Sequence, residues 1–526
     1  MEQNVTDDHG EQVSEKTEVD SESGRNDSST HVLKAKEKGH PRMSTVHEVA
    51  FIITICTAQI MALAGVGQGL SPLYIVGDTF GVTNDGQLSW YIAAYSLTVG
   101  TFILPSGRLG DMYGHKKIFL IGSIWFGIWS LLAGFSVYSG TILFSICRGF
   151  QGIGPALMVP NALAIAGRSF EGQKKNVVFS LFGACAPGGA VLGAVFAAIF
   201  SEFVWWPWTY WVQGILLFAY ATSSSLVLPS DELVFAAEGS KPTFDFAGTI
   251  TGVTGLVLFN FAWNQAGVVG WTVPYTYILL IVGILFFASF VYIERNVAQH
   301  PLVPIKSLSK EALYALSIIA CGWASFGIWL YYLWQLFLRL RHHSPLSAAA
   351  QQVPVAISGL CASLAVGFFV ARTKVAYIMV AAMACFLTGQ IILATTPVSQ
   401  TYWAQTFVTQ LIMPWGMDMS FPCGTIILSN GMPREHQGIA ASLRISVVIR
   451  YCANVGPPAV NTVVNYSISI SLGIAGTIIR QTDKEGMDVL GSYRNAWYFA
   501  IGLNGIGMAI AVYFVWVSVY KGRSLI

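Results

Sequence analysis

Gly107-Arg-Leu-Gly-Asp-Met-Tyr-Gly-His-Lys-Lys117 sets three glycines, one acid and a cluster of basic residues between two apolar segments, roughly 87–106 and 118–138. Each segment is long enough to cross a bilayer, so the short link forces an antiparallel hairpin. Gly107, Gly110 and Gly114 allow a tight turn and close helix approach. Asp111 can accept hydrogen bonds from the free N–H groups at a helix start, while Arg108, Lys116 and Lys117 hold the turn on the cytoplasmic side. Further along, Arg148 stands inside an apolar segment with Gln151 on the same helical face. A cation in hydrocarbon costs a few kcal/mol and normally faces a polar cavity or a partner. Asp418, between Pro414 and Pro422, is the clearest acid deep in a span, and the prolines predict a bent or locally unwound helix. At about 1.5 Å per residue, Asp418 lies ~15 Å from the inner end of its span and Arg450 ~18 Å from the inner end of the next. That makes an ion pair feasible. Arg450, Asn454, Asn461 and Asn465 share one ~60° stripe, predicting a polar face toward a cavity.

The elements that position these groups are membrane spans. The chain is 54% hydrophobic and only 11% charged over 526 residues, against roughly 25% charged in soluble domains. Apolar runs of span length recur along nearly its whole length, which predicts an all-α integral membrane protein. The net charge of +2 says little; placement says more. Fourteen spans are predicted near 48–70, 87–106, 118–138, 141–162, 177–200, 208–228, 246–265, 273–293, 313–338, 347–371, 375–395, 402–428, 438–466 and 495–519. With the N-terminus inside, 21 of the 29 Lys and Arg fall on the cytoplasmic side, as the positive-inside rule requires. The cluster Arg339-Leu-Arg-His-His343 is the exception.

Residues 1–45 are polar, predicting a disordered cytosolic tail and a first span that serves as its own insertion signal. A six-helix half follows over 46–230, loops and two inserted helices over 231–312, a second half over 313–520 and a cytosolic end over 521–526. Glu171-Gly-Gln-Lys-Lys175 and Pro433-Arg-Glu-His-Gln-Gly438 precede small-residue-rich spans at corresponding places, so the halves read as a parallel repeat in a 6+2+6 bundle. The eight cysteines lie in or beside spans without a CxxC pair, reading as packing residues with no metal site or disulfide framework. No phosphate-binding loop, metal-ligand spacing or nucleophile triad occurs, so ATP drive, a cofactor and an enzyme are not expected.

The hairpin, followed by Arg148-Gly-Phe-Gln-Gly-Ile-Gly154, resembles the signatures of the major facilitator superfamily, over about 48–519. Fourteen spans in two pseudo-symmetric halves is similar to its drug:proton antiporter branch, nearest the fungal aminotriazole-resistance type, whose members move drugs, borate and ammonium. The resemblance implies a monomeric secondary transporter that exports a small solute or drug by alternating access, with protons as coupling ion. It makes Gly107, Arg108, Asp111, Gly114 and Lys116 a conformational latch and gives Arg148 a part in proton coupling. It places the protein in the plasma or vacuolar membrane, with both termini cytosolic and no nucleic-acid partner.

Three departures bear on proton antiport. The first span has Gln59 and Gln68 where many relatives carry an acid, the fifth-span signature is degenerate around Gly183 to Gly193, and Pro207 replaces a frequent Arg. From the residues, Asp418 and Arg450 are the expected coupling pair; Gln59, Gln151, Asn454 and Asn461 are the expected cavity lining. Two further readings stay open: an uptake carrier or facilitator for ammonium or borate, and a non-transporting nutrient sensor. The short polar termini do not favour the sensor.

Overall fold

The computed structural model describes residues 44–82, 84–170, 172–229, 244–298, 302–303, 305, 308–430, 443–483 and 486–520; at 172, 173, 176, 371, 429–430 and 443–458 only the backbone is described. Residues Met1–Phe51 form one unit and Ile52–Ile526 another. The expected tail disorder falls on residues outside those described.

The described residues form helices and no strand. In chain order these are α1 (Thr45–Leu70), α2 (Leu73–Thr79), α3 (Asp85–Tyr113), α4 (His115–Phe135), α5 (Thr141–Ser169), α6 (Gly172–Phe203) and α7 (Pro207–Val227). Two more, α8 (Phe246–Val269) and α9 (Pro274–Asn296), are the inserted pair. The second half comprises α10 (Lys310–Gln335), α11 (Pro345–Gln351), α12 (Val353–Arg372), α13 (Val375–Ala394), α14 (Gln405–Asn430), α15 (Leu443–Thr482) and α16 (Val489–Tyr520). Among the described residues, thirteen helices are long and apolar enough to cross a membrane. The fourteenth, α7, has 21 residues but is diluted by Thr222-Ser-Ser-Ser225. Isoleucines 121, 124 and 128 on α4, and 278, 281 and 284 on α9, point outward. Such stripes suit lipid rather than water. The chain is a multi-pass integral membrane protein.

Three local expectations change. The hairpin turn is sharper than its three glycines suggest. Helix α3 runs on to Tyr113, and only Gly114, at φ +101°, reverses the chain before α4 begins. Gly110 is needed for close packing instead, since a Cβ there would strike Asn161 and His115. Helix α14 stays helical from Gln405 to Asn430 with Pro414 and Pro422 inside, so of the bend or local unwinding expected around Asp418, the unwinding is absent. Helix α15 is continuous for 40 residues to Thr482, well beyond the expected end at 466 and straight through Pro457-Pro458.

Candidate functional site

Arg148 is fully buried at the centre of the first half. Its guanidinium donates from Nη2 to the Gly65 carbonyl of α1 at 2.6 Å, from Nε to the Tyr91 carbonyl of α3 at 2.8 Å, and from Nη1 to Gln151 Oε1. Tyr95 and Tyr210 lie against it, with ring centres 4.7 and 5.8 Å away. Gly69 leaves the room: a Cβ there would sit 2.9 Å from Nη2. Gln151 passes the network on, donating to Ser130 Oγ at 2.8 Å and Gln213 Oε1 at 3.2 Å. The missing first-span acid thus has a physical counterpart. The cation is held by carbonyl dipoles and π faces, with no carboxylate in salt-bridge range among the described residues.

At the hairpin, Asp111 meets Arg168 of α5 at 3.4 Å and His115 Nε2 at 3.3 Å. It does not cap a helix start, because α3 continues past it. His115 is buried and its Nδ1 lies 2.7 Å from Asn161 Oδ1. Lys116 donates to the Leu228 carbonyl at 2.6 Å, tying the hairpin to the end of α7. Gly107 and Arg108 fall in the last turns of α3, and Gly114 makes the turn.

The opposite end joins the halves. Asp85, at the start of α3, pairs with Arg339, and Tyr493 of α16 donates to the same carboxylate oxygen at 3.5 Å. Arg339 lies in a π-helical turn, Leu336–Leu340, that extends α10. Beside it Tyr74 of α2 donates to Gln335 of α10. Glu202 of α6 accepts the Leu346 N–H of α11. A cavity of about 390 Å³ lies here, lined by Asp85, Ser89, Arg339, Arg480 and Asp483 among others. Arg341 donates to the carbonyls of Val398 and Pro397 at 3.0 and 3.2 Å and to Thr406 Oγ1 at 3.1 Å. The basic cluster that departs from the charge rule is therefore fixed by tertiary partners.

Asp418 faces the junction of α14, α12 and α6. Its Oδ2 is buried without a hydrogen-bond partner among the described residues. A Cβ on Gly359 of α12 would lie 3.1 Å from that oxygen and 2.6 Å from Pro187 of α6. Pro422 also lacks the N–H that would pair with the Asp418 carbonyl one turn back.

Of the expected cavity residues, Gln151 is buried in the Arg148 network, Gln59 keeps a buried Oε1 without a partner among the described residues, and Asn461 is half-buried with its carbonyl bonded to Asn465. The side chains of Arg450 and Asn454 lie outside the described residues, as does any Asp418–Arg450 pair. Sequence reasoning missed Asp85, Arg339, Tyr493 and Arg168. Each gains its meaning from a partner on a distant helix, so spacing along the chain carries no signal for it.

Two sets of helices that meet along α3 and α15 and between α6 and α12, around a buried arginine centre, define a carrier-type membrane transporter. Residues 50–449 match the model of the Major Facilitator Superfamily, and the chain belongs to that family. It is 53% identical, over 92% of its length and 91% of the relative's, to a "Low affinity ammonium transporter" of Saccharomyces cerevisiae. It is 43% identical to "Efflux pump terJ" of Aspergillus terreus, over 89% of this chain and 88% of that one. To the "Aminotriazole resistance protein" of Saccharomyces cerevisiae it is 36% identical over 90% and 85%. A solved POT family transporter shares the fold at a TM-score of 0.59 and 14% identity, covering 92% of this chain and 97% of that one. The protein is a transporter of small-molecule substrates across a membrane, not an enzyme.

Proposed function

We propose that the protein carries a small polar cation of the ammonium class across the plasma membrane by alternating access, as a monomer with both termini in the cytosol. Asp418 is the observation that carries this reading. It is the carboxylate farthest from a helix end among the described spans, and Oδ2 has no partner there. A buried carboxylate oxygen with no partner among the described residues suits a small N–H donor cation, or a proton, entering between α12 and α14. The relative at 53% identity supports the same class of solute. Arg148, with three of its N–H donors engaged, positions α1, α3 and α5 and repels cations from the first half.

A second reading is export of a drug or other amphipathic solute against proton entry, favoured by the efflux-pump relative at 43% identity. There Asp418 holds the proton, and Arg450 is its proposed switching partner. In proteoliposomes, radiolabelled methylammonium should enter saturably, compete with ammonium and be lost in Asp418→Asn. Wild-type methylammonium flux in Asp418→Asn would remove Asp418 from the pathway. Absence of methylammonium flux, with proton-driven drug movement in the same vesicles, would establish the second reading instead.

A further inference from the structure

The inserted helix α8 carries two fully buried amides, Asn260 and Asn264, in a segment the six-plus-six repeat does not need. They meet Ser469 of α15, which is also fully buried. The Ser469 hydroxyl lies 3.0 Å from the Ala93 carbonyl of α3 and 2.9 Å from Asn260 Oδ1. A hydroxyl has a single proton to give, so Ser469 donates to the first half or to the inserted helix, not to both at once. Asn264 Nδ2 donates to the Ser469 carbonyl at 3.2 Å and to Asn260 Oδ1 at 2.8 Å.

Besides α9, helix α8 packs on α15 and α3, and it is tied to these two unequally. To α15 it is bound by those amides, by Tyr466 donating to the Leu256 carbonyl at 3.1 Å, and by Arg480 donating to the Val268 carbonyl. The backbones nearly touch: a Cβ on Gly473 would lie 2.7 Å from the Asn264 nitrogen. To α3 it has one long hydrogen bond, from Asn84 Nδ2 just before that helix to the Val268 carbonyl at 3.5 Å, an apolar contact between Trp90 and Phe261 with ring centres 5.1 Å apart, and one close backbone approach, where a Cβ on Gly86 would lie 2.8 Å from the Gly267 carbonyl oxygen. Apolar contacts slide; buried hydrogen bonds do not break without a replacement.

We propose that α8 is a moving part of the transport cycle, carried as one body with α15, and that Asn260 takes the Ser469 proton when α3 withdraws from α15 at the Asp85 end. Asn260 and Ser469 are then positioning residues. Opening that end parts Asp85 from Arg339 and Ala93 from Ser469. Without Asn260 the Ser469 hydroxyl would lose its interhelical acceptor, and the open state would be disfavoured.

Spin labels at exposed Thr272, just after α8, Gln481 on α15 and Thr79 on α2 read this directly in nanodiscs. The Thr272–Gln481 pair should show one distance and the Thr272–Thr79 pair two, the longer marking the open end. Asn260→Leu should cut the long-distance population about five- to tenfold, as loss of one buried hydrogen bond implies. In a Ser469→Ala background the same substitution should change nothing. One distance for both pairs, two for Thr272–Gln481, or an equal Asn260→Leu effect in both backgrounds overturns the proposal. If Asn260→Leu does not fold, the wild-type distances still decide. None of these readings uses a solute, so they stand or fall apart from the ammonium proposal.

Discussion

Arg148→Lys keeps the charge and removes the fork, which makes it the sharpest probe of the first half. The guanidinium reaches acceptors on α1, α3 and its own helix from three separate nitrogens while lying against two tyrosine rings. A lysine ammonium has three donors on one atom and a shorter reach, so it can keep one of these acceptors. Losing two charge-assisted hydrogen bonds, at about 1.5–3 kcal/mol each, gives a loss of roughly 3–6 kcal/mol before relaxation. For a half of this size, 1 kcal/mol corresponds to about 2–4 °C. The lysine variant should therefore lose its monodisperse peak in detergent about 6 °C or more below wild type, measured by size-exclusion after graded heating. Transport per molecule should fall with it. An unchanged profile and full turnover would refute the view that the fork ties α1, α3 and α5 together.

Asp111→Asn should lower transport far more than abundance, because Arg168, its partner here, is 40% exposed and such a pair contributes at most about 1 kcal/mol; equal losses in surface amount and flux would argue against a latch. Gly189→Ala should reduce the amount of folded protein, since its Cβ would lie 2.7 Å from the Ile60 carbonyl of α1, whereas Gly188→Ala next to it meets nothing within 4 Å and should express normally. Burial and the neighbouring Arg341 hold the His343 pKa below its ordinary 6.5, and Gln351 Nε2 lies 2.7 Å from its Nδ1. The neutral ring is favoured in the fold, so its contribution is complete above about pH 6.5 and is lost as pH falls through the lower folded value. A shallow drop in melting temperature over that range should vanish in His343→Gln.

Much of the fold is legible because hydrocarbon imposes one rule on every span. Apolar length and the placement of lysine and arginine were enough to expect helices at 87–106 or 118–138. The ends are harder to read. Helix α3 reaches Tyr113 through glycines that resemble a turn, because Gly110 is required by its neighbours on α4 and α5 rather than by backbone geometry. Helix α15 passes Pro457-Pro458 and continues to Thr482, where composition alone suggests a break. Within the site, Arg148 and Gln151 were legible from their three-residue spacing inside an apolar run. Asp85 with Arg339 was not, because 254 positions separate two residues that each look like ordinary interfacial charges. Nothing in the sequence links the amides of α8 to Ser469 and Ala93; only the fold brings them together.

Methylammonium counterflow tests the central claim most directly. Proteoliposomes loaded with ammonium and diluted into trace radiolabelled methylammonium, with no pH gradient or membrane potential, should show a transient overshoot of label inside. The overshoot should be absent in Asp418→Asn and in empty vesicles. An alternating-access carrier of an ammonium-class cation must exchange in this way. Label that only equilibrates without overshoot, or an overshoot that persists in Asp418→Asn, would contradict the account.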